Sequence, residues 1–106
     1  MGLFTKKEMD TAAAERFWQW FSENEEQIIE ALAQYDMGIV RRIDEQLAPV
    51  FPYYKNELEF QLGFQEGQGE FIFFHLGNKH LQRHSAELRE KMPPALRERW
   101  HFSAED

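Results

Sequence analysis

Residues 57–76 constrain the fold more than any other stretch. "ELEFQLGF" alternates apolar and polar, with Leu58, Phe60, Leu62 and Phe64 on one side and Glu57, Glu59 and Gln61 on the other. Side chains of a strand point alternately to opposite faces, so this run reads as a half-buried strand. The glycine-containing "QEGQGE" is a turn, and "EFIFFHL" (residues 70–76) is the returning strand of a hairpin. The return strand is apolar on both sides: Phe71 and Phe73 alternate with Ile72, Phe74 and Leu76.

The turn decides which set faces inward, because a one-residue slip exchanges the two faces. A three-residue loop at 67–69 sets Phe64 opposite Ile72 and sends Phe71, Phe73 and His75 outside. A two-residue loop at 67–68 makes Phe71, Phe73 and His75 the inner set and exposes Ile72, Phe74 and Leu76. The first is preferred, since a glycine is then available at the last, left-handed loop position.

The remaining elements repeat at helical period. "TAAAERFWQWFSENEEQIIEALAQYD" places Phe17, Trp20, Phe21, Ile28, Ala31, Leu32 and Tyr35 on one stripe. It is long for one helix in a small domain, and Asn24 interrupts the stripe, so a bend or break is expected there. Asp36 and Gly38 close it, and "IVRRIDEQL" follows as a short helix paired antiparallel with the first. Pro49 and Pro52 mark a connector. Asn78 caps "KHLQRHSAELREKM", which Pro93 and Pro94 stop. "RWHFSAE" is a last strand with Trp100, Phe102 and Ala104 inward. The expected class is α+β in the order α-α-β-β-α-β. The third strand is expected beside the first in an antiparallel sheet of spatial order 2-1-3, which leaves residues 70–76 at an edge.

The 106 residues fit one domain spanning 1–106, frayed over 1–10 apart from a capping-box spacing at Thr5 and Glu8. With 42% hydrophobic and 15% aromatic residues the chain can hold a core without staples. It contains no cysteine, which removes disulfides and thiolate metal sites and suits a cytoplasmic protein. No run approaches the ~20 apolar residues of a membrane span, and "MGLFTKKEMD" has neither the apolar stretch nor the cleavage site of a secretory signal. The net charge of −7 disfavours contact with nucleic acid.

"FWQWFSENEE", "LGNK" and "PPALRERWHF" together resemble a group of small uncharacterised bacterial proteins with a Phe-Trp-x-Trp-Phe helix followed by Asn-Glu. The resemblance implies a bacterial, cytoplasmic protein and assigns no catalytic residue, because no activity belongs to that group.

Three sets of residues are candidates for a function. His80 and His84 stand one helical turn apart with Glu87 beside them, a spacing able to chelate a metal. Against this, Lys79, Arg83 and Lys91 make the neighbourhood basic, and a solvated helix edge is the more economical reading. Trp18 and Trp20, with Asn24, can line an aromatic pocket, although such runs usually form core with Trp18 at its rim. The strand at 70–76, bare on one face and at an edge, is a surface for a second copy through Phe71, Phe73 and His75, or through Phe74 in the other register. Hydroxyl nucleophiles lie outside any strand-turn-helix elbow, and "GFQEGQGE" lacks the Gly-Lys-Ser/Thr of a phosphate loop. No cofactor is implied. The expectation is a non-enzymatic interaction module, homodimeric through residues 70–76. A metal- or ligand-binding domain and an acidic inhibitor of a basic partner are the alternatives.

Overall fold

The computed structural model describes residues 7–106; Thr5, half of the expected capping pair, lies outside them. Asp10 opens the first helix instead, its side chain accepting from the Ala13 N–H at 3.0 Å. Helix α1 (Thr11–Glu23) ends at Asn24, and α2 (Glu25–Ala33) begins beyond it. The break therefore falls where the stripe is interrupted. Asn24 does not cap α2 with its side chain; its Nδ2 donates back to the Trp20 carbonyl at 2.8 Å.

Helix α3 (Gly38–Leu47) runs into a tight 3₁₀ turn at Ala48–Val50. The hairpin is β1 (Glu59–Gln65) and β2 (Gln68–Phe74), followed by α4 (Lys79–Glu90) with Asn78 as N-cap, a short α5 (Pro94–Arg97), and β3 (Trp100–Glu105). Pro93 and Pro94 stop one helix and start another, since proline at the first helical turn needs no N–H.

The class is α+β, but the sheet differs from the expected one. Its order is β1-β2-β3, with β1 antiparallel to β2 and β3 parallel to it. β2 is the central strand and β1 an edge. Helix α4 carries the chain from the end of β2 to the start of a parallel neighbour, the usual way to link parallel strands.

The hairpin register also departs from the preferred one. The loop has two residues, Glu66 (φ 52°) and Gly67 (φ 80°), and Gln65 pairs with Gln68. Two consecutive positive φ angles describe a type I′ turn, whose twist suits a hairpin. This sets Leu62 against Phe71 and Phe60 against Phe73. Phe71, Phe73 and His75 are consequently buried, and Phe74 and Ile72 lie half-buried on the other side. The inward set matches the alternative turn, although the pairing is displaced by two residues from it.

Gly69 is needed for contact and not for the turn. A Cβ there would run into the Trp100 ring. Trp100 lies against Phe64 and edge-on to Phe21. The core is an aromatic cluster centred on Trp18, Phe71 and Phe102. Trp18 is 1% exposed, not at a rim, and its Nε1 donates to the Leu88 carbonyl at 2.8 Å. Phe21, Trp100 and Phe102 are buried as expected, whereas Trp20, Phe60 and Leu62 are only partly covered. Ala104 and Tyr35 are exposed.

Candidate functional site

The strongest surface feature lies along β1. Its backbone orientation follows from the neighbouring strands. The N–H groups of Gly69 and His75 donate to Arg99 and Glu105 carbonyls, so the odd-numbered residues of β2 turn towards β3. Its even-numbered residues turn towards β1 and pair with Gln65, Gly63, Gln61 and Glu59. Residues of an antiparallel strand alternate in the direction of their N–H and C=O groups. The backbone of Phe60, Leu62 and Phe64 therefore points away from the sheet, to an edge that no strand of the described residues occupies.

The same three side chains project on the inner face of the sheet and are only half-buried. They form one wall of a groove of about 560 Å³. The other wall is the corner between α2 and α3, with Leu32, Tyr35, Met37 and Val40. Tyr35 is 89% exposed and Met37 70% exposed. The corner is fixed by the Asp36 N–H donating to the Ala31 carbonyl and by the Asp36 carboxylate accepting from the Gly38 N–H, both at 2.9 Å. Tyr35 takes the left-handed position (φ 56°) at the end of α2, where glycine is usual. An aromatic side chain thus stands in water at a backbone position that does not favour it.

At the Glu57 end of β1 the surface turns acidic. Burial, reinforced by Glu57 and Glu45, holds the Asp44 carboxyl above the ordinary carboxylate range. Asp44, Glu57 and Glu59 share a crevice with Met37 and Phe60 that continues the groove.

The residues singled out from the sequence lie elsewhere. His84 is buried, and its Nδ1 is 2.7 Å from the Tyr53 hydroxyl. Burial lowers its pKa, with Arg83 adding to the effect, and burial pushes the Tyr53 hydroxyl up to about 12. Both groups are neutral at pH 7, and they share one hydrogen bond whose direction follows the imidazole tautomer. His80 packs on the same Tyr53 ring, at 5.9 Å between centroids, with its Nδ1 enclosed and unbonded. Glu87 is exposed on the helix surface. The three do not form a chelate: among the described residues no cluster of three or more His, Cys, Asp or Glu side chains is placed to hold a metal ion. One turn of helix set the histidines in line, but the Tyr53 segment captured one of them.

Trp18, Trp20 and Asn24 likewise form no common pocket. Trp18 is core, Trp20 is half-buried under the Arg42 guanidinium at 5.7 Å, and Asn24 is tied to the Trp20 carbonyl. Phe71, Phe73 and His75 are removed from any interface by their burial, and β2 has no free edge. Sequence reasoning missed Tyr35, which it placed on the buried stripe, and Met37. The signal was present in "YDMG": two large apolar residues flank an aspartate within a turn, beyond the last helical repeat.

Compared with protein-family models, curated proteins and solved structures, the chain matches none. No helix among the described residues is long and apolar enough to cross a membrane.

Proposed function

We propose that this chain is a small non-enzymatic protein-interaction module, and that its contact surface is the open edge of β1 with the groove beside it. The observation that carries the reading is the exposure of Tyr35 and Met37 over a groove whose opposite wall ends in a strand edge that no strand of the described residues occupies. Exposed apolar patches beside polar rims are where proteins meet other proteins, and an open edge offers main-chain hydrogen bonds to an extended segment. The titratable pair inside the fold, Tyr53 and His84, is engaged with itself in the neutral state, which suits a structural role. The absence of cysteine from the sequence fits a reducing cytoplasm.

A photo-cross-linking residue at Met37, compared in living cells with one at the exposed Gln82 of α4, tests the reading. Protein adducts at Met37 and few at Gln82 are expected. Adducts at neither position, or at Gln82 alone, would reject it.

A further inference from the structure

We infer that the occupant of the β1 edge is a second copy of the same edge, in an antiparallel pairing whose two-fold axis passes through Leu62. This rests on the reading of β1 as the contact surface and names its partner. Phe60, Leu62 and Phe64 are the residues whose N–H and C=O groups point outward. Antiparallel pairing about Leu62 sets Leu62 against itself and Phe60 against Phe64 of the second copy. Residues that point outward then meet residues that point outward, so all three outward-facing residues of each copy exchange both backbone hydrogen bonds. A register displaced by one residue would set them against residues committed to β2.

The side chains fit the same axis. A two-fold axis perpendicular to the sheet keeps both helical layers on one side. The half-buried Phe60, Leu62 and Phe64 of each copy then continue the apolar face of the other, below the corners that carry Tyr35 and Met37. On the outer face Gln61 meets Gly63, which has no side chain to obstruct it. Glu59, the one charged residue in β1, meets Gln65 and no like charge. The remaining acid, Glu57 against the turn that carries Glu66, opposes association weakly. Each copy also bears −7, so the dimer strengthens as salt screens that repulsion.

The lack of cysteine makes single-cysteine variants clean reporters. Paired residues that exchange hydrogen bonds have Cα atoms about 5.5 Å apart, within the roughly 4.4–6.8 Å reach of a disulfide. Air-oxidised Leu62→Cys is expected to run as a covalent dimer, and Gln61→Cys, which faces glycine across the axis, as a monomer. Sedimentation equilibrium is expected to show a dimer that tightens at about 0.5 M sodium chloride, and a monomer for Leu62→Lys with an unchanged circular dichroism spectrum. If Leu62→Lys fails to fold, the cysteine pair decides. A wild-type monomer at high micromolar concentration, or a dimer that Leu62→Cys does not bridge, overturns the assignment. A monomer that still yields Met37 adducts overturns the second copy and leaves β1 as the contact surface; a monomer without them removes both.

Discussion

The pair formed by Tyr53 and His84 gives the fold a pH dependence that one substitution can isolate. His84 is charged more easily in the unfolded chain, where its pKa is about 6.5, than in the fold, where burial first and Arg83 and His80 next lower it against Glu87 and Glu8. The unfolded chain thus binds the extra proton, and the stability held by neutral His84 is present above about pH 6.5 and lost as the pH falls below it. Tyr53 acts at the other end: with its pKa raised from 10.0 to about 12, its contribution is present below pH 10 and lost as the pH rises towards 12. His84→Gln keeps a hydrogen-bonding partner for the Tyr53 hydroxyl and removes the titration. Thermal unfolding at pH 7 and at about pH 5.5 is expected to show a smaller loss for this variant than for the unmodified chain. Equal losses would mean that His84 is not held neutral.

Between elements, Glu25 at the start of α2 joins the helices to the far side of the sheet. Its Oε2 accepts from the Trp100 Nε1 at 2.8 Å and from the Arg99 Nε at 3.0 Å, while the Arg99 Nη2 donates to Glu26 at 3.2 Å. Removing the carboxylate leaves the largely buried indole N–H without its partner. Glu25→Ala is therefore expected to cost about 1–3 kcal/mol in urea unfolding, and Arg99→Ala, whose guanidinium is itself partly in water, distinctly less. A larger effect of Arg99→Ala would place the tie in the ion pair. Much of this layer was legible: the α1–α2 break at Asn24, the Asn78 cap and the alternation of β1 all follow from local chemistry. The register was not, because Gly67 and Gly69 serve different ends. Gly67 provides the turn, with Glu66 accepting the other positive φ, whereas Gly69 makes room for a tryptophan 31 positions later in the chain. The strand order was hidden too. Glu59 and Gln61 point outward equally well whether their strand lies at the centre or at the edge, and only packing made β2 central. The candidate site suffered most, since Tyr35 continues the helical stripe in sequence but leaves it in space when the helix ends at Ala33.

Across the whole molecule, the central position of β2 accounts for its two apolar faces. Phe71 and Phe73 are the floor of the aromatic core, while Ile72 lies between Gln61 and Ser103 and Phe74 between Glu59 and Glu105. Polar neighbours on both sides screen these two residues, and no second copy is required to cover them. The mixed sheet also sets an order in time. The β1–β2 hairpin closes through a two-residue turn, whereas β3 reaches β2 only after the chain has traversed α4 and α5. Closing the longer loop costs more entropy before any contact rewards it, so the hairpin is expected in the folding transition state, with β3 docking after it. In stopped-flow unfolding and refolding of dilute protein, Phe60→Leu is expected to slow folding, and Phe102→Leu to leave folding almost unchanged and hasten unfolding. The opposite pattern would mean that the parallel β2–β3 unit assembles first and that the hairpin closes upon it.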